Sequence, residues 1–123
     1  MQKIDGTTIL LNRGDVLNLS LTLKLESGSD YTFEVGDTIV FSIYKKNKMN
    51  EKAVLLKTIT VNEVGQSVNI ALTKEETKIG EITNKPVEYW YEIELNDQYT
   101  VIGYDEEGPK RLMLYPEGSK IND

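Results

Sequence analysis

Alternation of apolar and polar residues with a period of two is the strongest pattern in the chain. In residues 16–25, VLNLSLTLKL, every second residue from Leu17 to Leu25 is a leucine, and Asn, Ser, Thr and Lys lie between them. A helix would distribute these leucines around its circumference, whereas a strand places them all on one face. The segment therefore predicts a long half-buried β-strand whose leucine face belongs to the core.

Similar short segments follow, with turn residues between them. The same alternation occurs in 37–46, DTIVFSIYKK, and in 66–73, QSVNIALT. Residues 53–61, AVLLKTITV, are rich in strand-forming types, but their alternation is ambiguous, which indicates an edge strand or a bulge. Further strands are predicted in TTILL (7–11), VEYWYEIEL (87–95), YTVIGY (99–104) and RLMLY (111–115).

One short helical turn interrupts the strands. Thr73 is placed as an N-cap with Glu76 three residues later, and Gly80 is placed to end the turn. About seven or eight short strands at regular spacing favour an all-β sandwich or barrel. The chain of 123 residues suits one domain over 1–123, with an ordered core over about 7–116 and a frayed tail at EGSKIND, 117–123.

The hairpin in residues 86–104, PVEYWYEIELNDQYTVIGY, carries the most distinctive side chains. A two-residue turn at Asn96–Asp97 fits because both residue types tolerate positive φ. Counting from that turn assigns one face of the hairpin to the core. The predicted cross-strand pairs on that face are Ile93 with Thr100, Tyr91 with Ile102 and Tyr89 with Tyr104, and Val87 and Leu95 share the face.

The opposite face of this hairpin is the candidate binding site. It carries three glutamates around Trp90, and the counted register places Trp90 across from Gly103. One interpretation is that the indole covers the glycine backbone as a cross-strand packing pair. The other is that an exposed patch binds a partner protein or a sugar ring. The candidate partner-binding residues of this patch are Trp90, Glu92, Tyr99 and Val101.

Composition excludes several kinds of chemistry. The chain has no cysteine and no histidine, so it lacks the residues for disulfides, thiol catalysis, a Ser-His-Asp triad and the commonest metal sites. The net charge of −6 argues against nucleic acid as a partner. No segment approaches the ~20 apolar residues of a membrane span. We expect a non-enzymatic protein that is made in the cytoplasm and has no catalytic residue, cofactor, metal site or membrane contact.

Four further motifs have ordinary structural interpretations. Arg13–Asp15 spells the adhesion tripeptide RGD, but it precedes a strong strand and is expected to form a turn. YDEEGPKR (104–111) is expected to be a solvated turn and not a calcium loop, since adjacent carboxylates rarely converge on one ion. YKKNK (44–48) is typical of lysines that protect a sheet edge. The glutamates at 88, 92 and 94 lack the cleft that glycoside hydrolysis needs.

Three segments resemble a known family. They are LNRGDVLNLSLTLKLESGSDYTFEVGDTIVFSIYKK (11–46), ALTKEETKIG (71–80) and YWYEIELNDQYTVIGY (89–104). They resemble small phage and prophage proteins similar to the N-terminal domain of siphophage upper baseplate proteins, and the likeness spans most of residues 8–116. The resemblance implies an immunoglobulin-like β-sandwich of antiparallel strands that is used for attachment within a tail tip.

These observations lead to two expectations of function. The first is a structural or adaptor protein of a phage or prophage particle, associated with the virion, that acts by contacts with phage structural proteins or with copies of itself. The second is a carbohydrate-binding module in which Trp90, Tyr99 and Glu92 form an exposed platform. A small molecule other than a sugar is not expected as a ligand.

Overall fold

A computed structural model describes residues 2–117 as nine β-strands without a helix. The first strand, β1, has no alternating apolar residues, and its four residues are all exposed, so the sequence pattern did not predict it. The strands are β1 Gln2–Asp5, β2 Thr8–Asn12, β3 Leu17–Leu21, β4 Thr38–Lys45, β5 Leu55–Thr60, β6 Val68–Leu72, β7 Val87–Leu95, β8 Tyr99–Ile102 and β9 Lys110–Tyr115.

The strands form two sheets that enclose one core. The large sheet has seven strands in the order β1-β2-β9-β7-β4-β5, and β8 pairs with the end of β7. The small sheet consists of β3 and β6. β5 lies at the edge of the large sheet, which is one of the two arrangements that its ambiguous alternation indicates. The fold is therefore all-β and sandwich-like.

One strand pair departs from the expected antiparallel arrangement. β2 and β9 are parallel, with Ile9 opposite Leu112 and Leu11 opposite Leu114. The chain leaves the large sheet directly after β2 to form β3, so β2 does not pair with its successor in sequence. Its free side is instead filled by the last strand, which runs in the same direction.

The core lies between the inward faces of the two sheets. β4 contributes Ile39, Phe41 and Ile43, which are fully buried, as their alternation predicts. Phe41 packs edge-to-face on Tyr91 of β7, with ring centroids 5.6 Å apart. The small sheet contributes Leu17, Leu21, Ile70 and Leu72, which are also buried. Burial of each such side chain stabilises the fold by about 1.5–3 kcal/mol before entropy is counted.

The long leucine strand is shorter than its pattern predicts. β3 ends at Leu21 because its partner β6 begins at Val68, the residue opposite Leu21, and the ladder has no further pairing. The chain then turns at 25–28, where the Gly28 amide donates to the Leu25 carbonyl over 2.9 Å. Leu23 is half-buried and Leu25 is 48% exposed.

The predicted helical turn is present as a single turn. The Glu76 amide donates to the Thr73 hydroxyl over 3.1 Å, and the Thr73 amide donates to the Glu76 carboxylate over 2.9 Å. These are the two reciprocal hydrogen bonds of a capping box. Gly80 ends the segment with a φ of +67°. The turn does not continue into a helix.

The turn between β7 and β8 is tied to β4 through Asp37. The Asp37 carboxylate accepts hydrogen bonds from the Glu34 amide at 3.0 Å, the Tyr31 hydroxyl at 2.8 Å and the Asn96 side-chain amide at 3.1 Å. The Glu34 amide contributes most to holding the pKa of Asp37 below its usual value of 3.8. These bonds favour the ionised carboxylate, so the folded state prefers it.

We expect Asp37→Asn to remove part of the acid sensitivity of folding. A lowered folded-state pKa gives stability that is present above pH 3.8 and is lost as the pH falls through the folded value. Urea unfolding of the wild type and the variant at pH 7 and near pH 3 measures how much the free energy of unfolding falls between the two pH values. Glu63→Gln, in an exposed loop position, is the control. An unchanged pH dependence in Asp37→Asn would contradict the assignment.

Candidate functional site

The outer face of the large sheet, the side turned away from β3 and β6, is the candidate binding surface. At its centre, Trp90 of β7 lies between Tyr44 of β4 and Arg111 of β9, which are its cross-strand neighbours. The period of two that buries Tyr89 and Tyr91 turns Trp90 outward. The prediction that Trp90 and the neighbouring glutamates lie outside the core is therefore confirmed.

Three aromatic side chains define what we call the aromatic cluster: Tyr44, Trp90 and Tyr104. The rings of Trp90 and Tyr104 have centroids 5.8 Å apart and are tilted by 59°. Trp90 and Tyr44 are half-buried, whereas Tyr104 is 60% exposed. Aromatic side chains that remain partly accessible on a sheet face are suited to contacts with another molecule.

Glu88 fixes the orientation of the indole and is itself neutralised. The Trp90 indole N–H donates to Glu88 Oε2 over 2.7 Å. The same oxygen lies 3.4 Å from Arg111 Nε, and Glu88 Oε1 lies 4.0 Å from Lys46 Nζ. This carboxylate therefore supports the aromatic cluster and has two cations beside it.

Glu92 and Glu94 differ from Glu88 in their charge environment. The Tyr44 hydroxyl donates to Glu92 Oε1 over 3.0 Å. Burial, followed by this hydrogen bond, raises the pKa of Tyr44. Burial, followed by the nearby charges of Glu92 and Asp97, raises the pKa of Glu94. Within residues 2–117, no lysine or arginine pairs with Glu92 or Glu94, so their negative charge is uncompensated.

The hairpin register predicted from the sequence is wrong, although its turn residues are confirmed. Asn96 and Asp97 both have a φ of 55°, and the Gln98 amide donates to the Leu95 carbonyl over 3.1 Å. However, Leu95 pairs with Tyr99, so Gln98 stays outside the ladder. An irregularity between Ile93 and Glu94 then shifts the register again. The observed pairs are Leu95 with Tyr99, Glu94 with Thr100 and Ile93 with Ile102.

The corrected register changes the neighbour of Gly103. A Cβ at Gly103 would approach the Thr100 methyl group at 2.7 Å and Glu92 Cβ at 3.4 Å, so this glycine faces Glu92. The predicted packing of Trp90 over Gly103 is therefore wrong. Tyr104, expected on the core face beside Tyr89, instead contacts Trp90.

The same shift separates the predicted patch into two places. Trp90 and Glu92 remain together on the outer face. Tyr99 and Val101 instead line a groove of about 770 Å³ on the other side of the hairpin, and Tyr99 is 61% exposed there. The groove is also lined by Leu23, Leu25, Tyr31 and Ile102.

Sequence reasoning missed three residues of the outer face: Tyr44, Tyr104 and Arg111. Tyr44 occupies a polar-face position in the alternation of β4, and this signal was available. Its position beside Trp90 depends on the pairing of β4 with β7, which the alternation does not specify.

The other sequence motifs have structural partners. Arg13 of the RGD turn donates to the carbonyls of Ile79 and Gly80 over 3.0 and 2.8 Å, so its guanidinium is engaged within the fold. Asp105 of the acidic loop pairs with Lys110 at 2.9 Å. Among residues 2–117, no three acidic side chains cluster in a way that could hold a metal ion. None of the described segments is a helix of the length and hydropathy needed to span a membrane.

Comparison with known proteins gives no relative. No family model, no curated protein and no solved structure matches the chain.

Proposed function

We propose that the protein is an immunoglobulin-like adaptor domain of a phage or prophage particle. It acts through protein–protein contacts and does not catalyse a reaction. The strand order supports the immunoglobulin-like part of this proposal. In such domains, strands C, F and G lie side by side in one sheet, and strands B and E belong to the other. Here β4, β7 and β9 are adjacent in the large sheet, and β3 pairs with β6 in the small one.

Tyr89 adds a second point of support. Immunoglobulin-like domains often carry a tyrosine near the start of strand F whose hydroxyl reaches back to the preceding connection. Tyr89 lies near the start of β7, and its hydroxyl oxygen is 2.5 Å from the position that a Cβ on Gly80 would occupy. The phage context of the proposal is supported by the resemblance of residues 11–46, 71–80 and 89–104.

The observation that carries the proposed binding role is the aromatic cluster on the outer face. Trp, Tyr and Arg are the residues that most often dominate the energy of protein interfaces, and Trp90 lies between Tyr44 and Arg111. The surface is a sheet face, which suits a broad partner surface. A sugar platform receives less support, because Tyr99 lies in the groove and Trp90 is tilted by 59° from Tyr104.

Mass spectrometry of particles from the induced source strain tests this function. We expect the protein at a fixed ratio to the tail components. We also expect Trp90→Ala to reduce its incorporation by about tenfold, the effect of removing an interface anchor worth roughly 1.4 kcal/mol.

Ile82→Ala is the matched control, because Ile82 is exposed and lies in the connection before β7. Its incorporation should equal that of the wild type. Particles that assemble without this protein would contradict the proposed function. Undiminished incorporation of a folded Trp90→Ala variant would contradict the outer face as the binding surface.

A further inference from the structure

We propose that the partner presents an arginine or lysine side chain to the outer face, where the cation lies over the aromatic cluster and beside Glu92 and Glu94. This inference rests on the proposed adaptor function and names the chemistry of its partner. The occupant is a protein segment with a cationic group flanked by apolar side chains.

The charge distribution on the outer face supports a cationic occupant. Glu88 already has Arg111 and Lys46 beside it, whereas no lysine or arginine within residues 2–117 pairs with Glu92 or Glu94. Asp97, in the adjoining turn, adds a third negative charge near Glu94. The half of the face around Glu88 therefore has two cations for one carboxylate, whereas the half around Glu92 and Glu94 is acidic, and a partner cation would complement the acidic half.

The geometry of Tyr44 and Glu92 supports the same occupant. The Tyr44 hydroxyl donates a hydrogen bond to Glu92 Oε1. Because Tyr44 lies opposite Trp90, this bond fixes the Glu92 carboxylate beside the indole. Glu92 Oε2 has no hydrogen-bond donor within the described residues. A guanidinium or ammonium group that reaches this oxygen comes close to the aromatic rings, where it gains a cation–π contact.

The apolar residues around the acidic half would accommodate the carbon chain of such a side chain. Val40 lies directly across from Glu94, and Leu56 lies next to Ser42 in the row of Glu92. Leu56 is 60% exposed, so the apolar surface continues to the edge strand β5. Lysine and arginine side chains commonly pack their methylene groups on apolar surface while the charged group binds elsewhere.

The intrinsic fluorescence of Trp90 provides the test, because it is the only tryptophan in the chain. The probe is the peptide acetyl-Leu-Arg-Leu-Arg-Leu-amide, and its matched control replaces both arginines by glutamine. We expect the arginine peptide to cause a saturable change in Trp90 fluorescence. Its affinity should fall about tenfold between roughly 0.02 and 0.3 M salt, because partly exposed charge pairs are screened by salt. Equal binding of the glutamine peptide would overturn the inference.

A matched pair of double variants locates the effect. We expect Glu92→Gln/Glu94→Gln to lower the affinity for the arginine peptide by about fivefold or more, because two charges at the rim of the interface are removed. Glu106→Gln/Glu107→Gln makes the same charge change in the exposed 105–108 loop and should bind as the wild type does. Equal loss in both variants would mean that only net charge matters, which overturns the inference.

Incorporation into particles separates this inference from the proposed function. We expect Glu92→Gln/Glu94→Gln to be incorporated less than Glu106→Gln/Glu107→Gln. If Trp90→Ala is lost from particles while Glu92→Gln/Glu94→Gln enters at the wild-type level, the adaptor function stands and the cationic partner is wrong. If both variants enter at the wild-type level, the outer face is not the binding surface.

Discussion

Arg13→Ala is expected to lower the free energy of unfolding by about 3–5 kcal/mol, the usual cost of breaking a buried ion pair from one side. The Arg13 guanidinium forms an ion pair with the Glu117 carboxylate and also binds the carbonyls of Ile79 and Gly80. The two paired side chains are 13% and 5% exposed. Removal of Arg13 leaves a buried carboxylate without its cation and two carbonyls without a donor.

Urea unfolding followed by Trp90 fluorescence measures this effect. Arg111→Ala is the control, because its ion pair with Glu88 is 49% exposed on the arginine side and should contribute about 0–1 kcal/mol. Adding Glu117→Gln to Arg13→Ala should recover part of the loss, since the unpaired charge is removed. A loss no larger than that of Arg111→Ala would contradict the structural role of Arg13.

The RGD segment shows which part of such an arrangement a sequence can predict. The turn was predicted from local residue types and is confirmed by the hydrogen bond from the Asp15 amide to the Asn12 carbonyl at 3.1 Å. The partners of Arg13 lie 66 and 104 positions further along the chain, and no local pattern connects them. The expected frayed tail is wrong at Glu117, which is buried, and residues 118–123 lie outside the described part of the chain.

The outer face shows the same division between local and long-range information. Alternation with a period of two specifies which face a residue takes, so Trp90 and Glu92 were correctly expected to point away from the core. It does not specify which strands are neighbours. The pairing of β7 with β4 and β9 places Tyr44 and Arg111 beside Trp90, and no motif in the sequence predicts that pairing.

The predicted register of the β7–β8 hairpin is wrong for a different reason. Its turn residues were correctly identified, but a single unpaired residue changes every pair beyond it. Because Gln98 is unpaired, Tyr99 lies opposite Leu95, and the irregularity between Ile93 and Glu94 leaves Val101 without a partner in the ladder. Both residues therefore line the groove, away from Trp90. Bulges depend on how a strand bends over its particular core, so residue types alone did not place this one.

Gly80→Ala is expected to lower the free energy of unfolding by about 2–3 kcal/mol, from left-handed strain and overpacking together. Gly80 has a φ of +67°, and a Cβ there would lie 2.5 Å from the Tyr89 hydroxyl oxygen. Tyr89 is 7% exposed, and its ring is packed in the core. The hydroxyl therefore has little space in which to retreat.

Two variants separate the steric part of this cost from the backbone part. Gly28→Ala introduces the same methyl group at a φ of +91° with no atom within 4 Å, so it measures strain alone, about 1–2 kcal/mol. Tyr89→Phe removes the clashing oxygen, so Gly80→Ala should cost less in that background. If Gly80→Ala lowers the free energy of unfolding by the same amount with tyrosine and with phenylalanine at position 89, the Tyr89 hydroxyl does not limit the size of the residue at position 80. The likeness of Tyr89 to the tyrosine of immunoglobulin-like domains would then lose its structural basis.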